Sequence, residues 1–286
     1  IIHSRLQKAM TKAGALNPNH YGFTHGTGAD DLMMEESMIF EDANQHRKEI
    51  HASNNDCTAA YDSITMWGSE TIYQYHGLPP NLIRFMLNID KHQSGHVLTA
   101  HGASEDFNKN CGLGQGSMLA PLKWKLFLDP LLKKLDQTGE PYKMGAGSNT
   151  VHIYAAAFAD DLTVVAPTHK DYVLRMELAN KYLSFFGVEL NAVKTTYTYA
   201  NTGHHHHPIN IWNRQTHTTA PSSVAAPTQA LRYLGSWLSP SLRSKKGKTM
   251  LLASIHSILN VLQYKKLDWK EYRSFKRWWS PKQCIT

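Results

Sequence analysis

The sequence has few cysteines and no long apolar run, and both absences narrow the class of protein. Only three cysteines occur in 286 residues, without the paired spacing of a disulfide framework or a zinc site. No apolar run approaches the roughly 18 residues that a membrane-spanning helix needs, and the amino terminus shows no signal-peptide pattern. We therefore expect an intracellular protein, nuclear or cytoplasmic, that does not contact a membrane.

Acidic residues are scarce at one end of the chain. Residues 241–286 contain eleven Lys and Arg but only two acids, whereas the net charge of the whole chain is +7, so the first 240 residues are slightly acidic. Tyr, Trp and Phe alternate with the basic residues of this segment, a mixture that suits phosphates and stacked bases. An amphipathic helix pair with an aromatic core and a solvated basic face would give the same pattern.

Apolar periodicity predicts helices and strands throughout the chain. Hydrophobic residues make up 42% of it, enough for a sizeable core in one or two domains. Helical spacing marks residues 2–10, a stripe at 118–135 with lysines expected on the opposite, solvated face, and a stripe at 174–185 formed by Leu174, Leu178, Tyr182 and Phe185. Residues 200–230 lack periodicity and predict a polar loop, whose four histidines suit a metal site or a solvated loop.

Two adjacent carboxylates, Asp160 and Asp161, interrupt the apolar run at 155–166. The residues at 151–158 and 162–166 predict two strands joined by a tight turn. Because Asp is common in turns, a purely structural pair is one interpretation. The small alanines around the pair leave room for a ligand or another chain, which favours a functional one.

A second acidic motif lies about a hundred residues earlier, with a Gly-rich loop between the two. The first motif reads NNDCTAAYDSIT, in which Asp56 is followed by Tyr61 and Asp62. The loop reads CGLGQGSMLAPL and leads into the helix predicted at 118–135. In this order, the motifs D-x-x-x-A-Y-D-S, G-L-G-Q-G-S-x-L-x-P and F-A-D-D-L resemble those of reverse transcriptases, most of all the non-LTR retrotransposon (LINE-like) branch. Looser matches at 21–32, 187–195 and 231–239 extend the resemblance to residues 18–240.

The resemblance implies an α+β fold, a right-hand polymerase palm with a ferredoxin-like antiparallel sheet plus helices, partial fingers and a partial thumb. Residues 1–240 would form the palm with partial fingers, and residues 241–286 would begin a basic helical thumb. The implied function is RNA-directed DNA synthesis, in which nucleotides pass from dNTPs to a primer 3′-OH with two Mg²⁺, for which Mn²⁺ can substitute. An RNA template and a DNA primer would be the partners.

The resemblance also implies metal-binding and catalytic residues. Asp56 and Asp160 would be the metal ligands, with Asp161 in a supporting metal or structural role. Two carboxylates about 4 Å apart repel by roughly 4 kcal/mol at an effective dielectric near 20, so such a cluster is unfavourable without a cation. Lys194 would protonate or neutralise the departing pyrophosphate, although a solvated surface lysine fits its position equally well.

Substrate contacts are implied at three places. The ring of Tyr61 would exclude a 2′-hydroxyl and so select dNTPs, although core packing is its structural alternative. Further contacts to the nucleotide would come from Cys57, Gln115, Gly116 and Ser117. Leu234 and Gly235 would form the turn that holds the primer end.

Several positions depart from the family pattern. Thr24 and Thr27 occupy positions where the family has arginines, which predicts weaker triphosphate binding. The residues at 51–55, HASNN, are polar where the family has a buried apolar strand, which predicts a poorly supported strand. The first residue is not Met, and with these departures we expect a fragment of a longer or decaying element.

Two other functions compete with polymerisation. A non-catalytic RNA-binding or scaffold protein derived from a reverse transcriptase would keep the fold and lose the chemistry. An RNA-dependent RNA polymerase shares the palm but usually carries Gly-Asp-Asp at the hairpin and an Asp in place of Tyr61, so it fits this sequence less well.

Overall fold

Seven α-helices form in the part of the chain that the computed structural model describes, residues 2–91, 94–108, 111–114, 117–203, 207–213, 216–234, 236–241 and 249. They are α1 (Ile2–Lys12), α2 (Ala29–His46), α3 (Ala60–Ser63), α4 (Met66–Tyr75), α5 (Pro80–Lys91), α6 (Ala120–Leu135) and α7 (His169–Phe185). No helix within these residues is long and apolar enough to cross a membrane. The predicted thumb segment, 241–286, lies outside them except for residues 241 and 249.

The strands of the same residues are mostly short. They are β1 (Ile50–Asn55), β2 (Cys57–Thr58), β3 (Ser94–Gly95), β4 (Leu98–Thr99), β5 (Gly102–Ala103), β6 (Phe107–Asn108), β7 (Tyr142–Met144), β8 (Val151–Ile153), β9 (Ala155–Phe158), β10 (Asp161–Ala166), β11 (Glu189–Leu190), β12 (Thr196–Ala200), β13 (Asn210–Asn213), β14 (Thr218–Pro221), β15 (Ser223–Ala225), β16 (Leu231–Tyr233) and β17 (Ser236–Leu238). Strands β13 to β15 lie where the sequence predicts only a loop.

One five-stranded sheet, in the order β15-β12-β1-β10-β9, forms the centre of the fold. Strand β1 is antiparallel to both β10 and β12, β9 is antiparallel to β10, and β15 adds in parallel at the edge. The predicted α+β class is confirmed, and the antiparallel arrangement holds for four of the five strands. The single strand predicted at 151–158 is wrong, since β8 leaves this sheet to pair with β7.

The central strand β1 is polar and nevertheless well supported, so the prediction of a weak strand is wrong. His51, Ser53 and Asn55, which alternate along the strand, are buried. The Nδ1 atom of His51 lies 2.7 Å from the hydroxyl of Tyr197, and Asn55 Nδ2 donates to the carbonyl of Leu162 at 2.8 Å. Because these two nitrogens have partners on neighbouring strands, their burial costs far less than that of unpaired groups, whereas Oδ1 of Asn55 is buried without a hydrogen bond.

Helix α6 is buried on nearly every side, which corrects the expectation of a solvated lysine face for two of its four lysines, while Lys134 is exposed and Lys133 partly exposed. Lys123 and Lys125 are both buried. The Nζ atom of Lys123 lies 2.6 Å from Oδ1 of Asp90 on α5, and Lys125 Nζ donates to the carbonyl of His20 at 3.1 Å. The two lysines therefore fasten neighbouring segments to α6 instead of facing water.

The buried face of α7 is rotated from the predicted stripe. Leu174 and Phe185 are 46% and 64% exposed. The residues that point into the core are Tyr172, Arg175, Met176, Ala179 and Leu183. Tyr172, Met176, Ala179 and Leu183 also recur at helical spacing, so apolar periodicity allows two adjacent stripes on this helix and does not choose between them.

The buried Lys123–Asp90 ion pair generates a stability prediction. Asp90→Asn leaves a buried ammonium without its counter-charge, so we expect the free energy of unfolding to fall by about 3–5 kcal/mol, measured by urea denaturation. Glu177→Gln is the control, because Glu177 pairs with Lys181 on an exposed surface at 3.7 Å and such pairs contribute at most about 1 kcal/mol. Equal losses in the two variants would contradict the prediction.

Candidate functional site

The turn that carries Asp160 is fixed from two sides. Strand β9 ends at Phe158 and β10 begins at Asp161, so residues 159 and 160 form the tip, with Ala159 in the left-handed region at φ +54°. The indole Nε1 of Trp124 donates to the carbonyl of Ala159 at 2.6 Å. A Cβ added to Gly22 would meet the backbone nitrogen of Ala159 at 2.3 Å, so the segment before α2 approaches the turn as closely as only glycine allows.

Sheet register brings Asp56 to the same edge as the hairpin acids. Asn55 is the last paired residue of β1 and stands opposite Leu162 of β10. Asp56 therefore follows the strand at the level where Asp161 begins β10, and neighbouring strands lie about 4.8 Å apart. The structure thus brings Asp56 to the same sheet edge as Asp160 and Asp161, which lie about a hundred positions later in the sequence.

The negative charge gathered at this edge raises the pKa values of Asp161 and Cys57, in addition to the effect of their burial. Burial, then Asp160 and Asp56, raise the pKa of Asp161 to about 6, with Lys194 acting in the opposite direction. Burial and the same three carboxylates also raise the pKa of the Cys57 thiol. Cys57 itself is buried in the hydrophobic core, so any contact with a substrate at this position falls to its backbone.

Lys194 pairs with Asp56. Its Nζ atom lies 3.1 Å from Oδ2 and 3.3 Å from Oδ1 of that carboxylate. The loop that carries Lys194 is anchored by Asn191, whose backbone nitrogen donates to the carbonyl of Asp56 at 2.8 Å. Because the Lys194 side chain is 64% exposed, water screens the pair and another cation can displace the ammonium.

Tyr61 lies beside the turn and under the Gly-rich loop. Its ring centroid is 5.3 Å from that of Trp124, and burial, followed by the charge of Asp160, raises its pKa to about 12. The backbone nitrogen of Leu113 donates to the carbonyl of Tyr61 at 2.6 Å. Gly112, at φ +94°, packs so tightly that an added Cβ would meet the Cα of Asp62 at 2.8 Å.

The rest of the predicted loop is only partly described. Gln115 and Gly116 lie outside the described residues. The hydroxyl of Ser117 accepts a hydrogen bond from the backbone nitrogen of Leu119 at 3.3 Å, at the start of α6.

The predicted primer-end turn joins β16 and β17. Leu234 occupies the turn with φ +46°, and Gly235 lies outside the described residues. Tyr233, the residue before the turn, is buried against Ala156 of β9. Burial, followed by the negative charge of Glu36, raises the pKa of the Tyr233 hydroxyl, and burial raises the pKa of Glu36 to about 8.

Three contacts at this site are not found by motif reading. The apolar stripe at 118–135 contains Trp124, the motif at 21–32 contains Gly22 and the strand predicted at 162–166 contains Thr163, but none of these patterns predicts which group the residue contacts. A buried tryptophan needs an acceptor for its N–H, and a polar residue inside a buried strand needs a partner. These requirements indicate from the sequence that Trp124 and Thr163 need hydrogen-bond partners, but they do not identify the partners.

The carboxylates of this site do not form a complete metal-coordination shell. Across the described part of the chain, no group of three or more His, Cys, Asp or Glu side chains is placed to hold a metal ion. Hard carboxylate oxygens nevertheless match Mg²⁺, which keeps several water or phosphate oxygens in its shell and needs only one or two protein carboxylates.

Comparison with known proteins agrees with this geometry. Residues 1–238 match the family model described as reverse transcriptase (RNA-dependent DNA polymerase). The retrovirus-related Pol polyprotein from the type-2 retrotransposable element R2DM of Drosophila melanogaster is 27% identical over 195 residues, which are 68% of this chain and 18% of the polyprotein. The chain thus spans less than a fifth of that relative.

A solved structure is also similar in fold. Apo telomerase from Candida tropicalis matches with a TM-score of 0.52 and 12% identity, over 85% of this chain and 39% of that chain. At this identity the likeness concerns the fold alone. Because the family model covers most of the residues and the motifs lie in the family's order, the chain belongs to the reverse transcriptase family and is similar to a retrotransposon member of it.

Proposed function

We propose that this chain catalyses RNA-directed DNA synthesis, adding nucleotides from dNTPs to the 3′-hydroxyl of a DNA primer paired with an RNA template. The observation that carries the proposal is the placement of Asp56 beside the Asp160–Asp161 hairpin by the register of β1 and β10. Negative charge gathered at the end of a sheet is costly unless a cation is part of the working site.

Asp56 and Asp160 would hold two Mg²⁺, for which Mn²⁺ can substitute, and Asp161 would support them. Burial, then the charges of Asp160 and Asp56, raises the pKa of Asp161, and a divalent cation would offset the part that is due to those charges. Bound Mg²⁺ would favour the ionised primer hydroxyl and stabilise the triphosphate and departing pyrophosphate. Lys194 would exchange its contact with Asp56 for one with the negatively charged pyrophosphate.

The surroundings of the carboxylates would orient the substrates. Tyr61 stands on Trp124 within electrostatic reach of Asp160, where its ring would lie under the sugar and exclude a 2′-hydroxyl. The Gly-rich loop packs on the backbone of Tyr61 and would approach the nucleotide and templating base. The turn at Leu234 would hold the primer end.

One observation favours the non-catalytic alternative. Lys194 already neutralises Asp56 in part, and a permanent pair of this kind would leave an RNA-binding scaffold without polymerase chemistry. The exposure of Lys194 favours an exchangeable pair, and the experiments below separate the two functions.

Primer extension tests the proposed function directly. The 286-residue chain should extend oligo(dT) on poly(rA) with Mg²⁺ and dTTP, and Asp160→Asn should slow extension at least a thousandfold, equivalent to about 4 kcal/mol of activation free energy. Glu177→Gln removes a distant exposed carboxylate and should extend normally. If the folded wild-type chain binds the hybrid and extends nothing, the scaffold function replaces the polymerase.

Tyr61→Val tests nucleotide selection. Removing the ring opens space for a 2′-hydroxyl, so the ratio of rNTP to dNTP incorporation should rise about 10–100-fold, the range over which small groups in a pocket discriminate. Tyr61→Phe keeps the ring and should keep the wild-type ratio. An unchanged ratio in Tyr61→Val would show that the ring only packs against Trp124.

Lys194→Met should move two measurements in opposite directions. Loss of the competing ammonium should tighten Mn²⁺ binding, measured by electron paramagnetic resonance, by about 2–5-fold, as expected of an exposed pair worth up to about 1 kcal/mol. Loss of the positive charge beside pyrophosphate should slow extension by about a hundredfold. Lys181→Met, on the exposed surface of α7, should change neither, and unchanged Mn²⁺ affinity in Lys194→Met would exclude competition at Asp56.

A further inference from the structure

Three polar side chains from distant parts of the chain meet beneath the β16–β17 turn. Glu36 comes from α2, Thr163 from β10 and Tyr233 from β16, and all three are buried. The Thr163 hydroxyl lies 2.7 Å from Oε1 of Glu36 and 2.6 Å from the hydroxyl of Tyr233. A buried hydrogen-bonded group of this kind tolerates few other arrangements, because any displacement leaves polar atoms without partners.

The Thr163 hydroxyl lies between Oε1 of Glu36 and the hydroxyl of Tyr233, and Oδ1 of Asn54 is a third neighbour at 3.2 Å. Each hydroxyl has one proton to donate and lone pairs that accept, so either oxygen of the Thr163–Tyr233 bond can supply the proton. The phenol ring of Tyr233 packs on Leu32 and Ala156 beside it. Tyr233 has one well-defined orientation, set by a hydrogen bond at its tip and apolar contacts along its ring.

The position of Thr163 connects this group to the carboxylates. Thr163 lies two residues after Asp161 on β10, and side chains two apart on a strand share a face of the sheet. Ala156 stands directly opposite Thr163, and Phe158 stands opposite Asp161. Tyr233 thus rests on the cross-strand pair next to the hairpin acids and is itself followed by the turn residue Leu234.

We propose that Tyr233 is a positioning residue that fixes the β16–β17 turn relative to the Asp160–Asp161 hairpin through its hydrogen bond to Thr163, and so places the primer's 3′ end at the carboxylates. This inference rests on the proposed function and assigns the placement to a residue outside the implied catalytic set. The bond joins the element that would hold the primer to the strand that carries the acids, so its length sets the distance between them.

Tyr233→Phe tests the inference, because it keeps the ring and removes only the hydroxyl. The KM for a recessed primer–template end should rise about 5–10-fold, whereas kcat at saturating primer and the KM for dTTP should change less than twofold. Thr163→Val keeps the shape but removes the hydroxyl that contacts Glu36 and Asn54 as well as Tyr233, so it should raise the same KM at least as much. Because the Tyr233–Thr163 bond is already absent from Thr163→Val, adding Tyr233→Phe should raise this KM no further.

Tyr182→Phe is the matched control. The hydroxyl of Tyr182 donates to the carbonyl of Phe127 at 2.6 Å between α6 and α7, so its loss costs a comparable hydrogen bond away from the turn. It should leave the KM for the primer end unchanged. An equal effect of Tyr182→Phe, or an unchanged primer KM in Tyr233→Phe, would overturn the positioning role.

Binding without catalysis keeps this test separate from the proposed function. In fluorescence anisotropy without divalent cations, the wild-type chain should bind a recessed RNA–DNA hybrid more tightly than a blunt one, and Tyr233→Phe should lose this preference. A wild-type chain that extends nothing but shows the preference refutes the polymerase and retains the positioning role. A wild-type chain with no preference refutes the positioning role, whatever its activity.

Discussion

Mutual repulsion among Asp56, Asp160 and Asp161 is the constraint on which the rest of this structure depends. Carboxylates crowded at one sheet edge repel one another, so the rest of the fold has to hold them together. It does so through rigid short-range contacts: strand register for the first acid, and a left-handed turn held by Trp124 and Gly22 for the others. The polar interior of the sheet serves the same purpose, since its hydrogen bonds specify one register where apolar contacts would tolerate several.

Membership of the reverse transcriptase family could be predicted from the sequence because it depends on motifs in local order. An acid after a strand, a Gly-rich loop before a helix and an Asp-Asp pair inside an apolar hairpin each have a short-range pattern, and the helices α1 and α6 follow their apolar spacing. The position of Asp56 beside the hairpin follows from the pairing of β1 with β10, because paired strands end at a common edge of the sheet. Family membership is confirmed on these motifs, while the roles of individual residues stay predictions.

What the sequence did not predict depends on partners distant in the chain. The sequence predicts a weak strand at 51–55 because the hydrogen-bond partners of its polar side chains, Leu162 and Tyr197, lie more than a hundred residues away and are not visible in the local pattern. The burial of Lys123 depends on its ion pair with Asp90 on another helix, and the spacing of residues within α6 does not predict that pair. Apolar periodicity counts only groups that avoid water and does not detect polar groups that are buried with their partners.

The central place of β1 has a consequence for how the molecule is made. Both strands that flank it, β10 and β12, are synthesised more than a hundred residues later, so a ribosome releases the segment bearing Asp56 long before anything can pair with it. During that interval its edges are open to other chains, and closure of the sheet must wait for residues near 200. Nascent chains that stall before residue 160 lack the hairpin acids and have no partner strand for β1, so they cannot assemble the acidic edge.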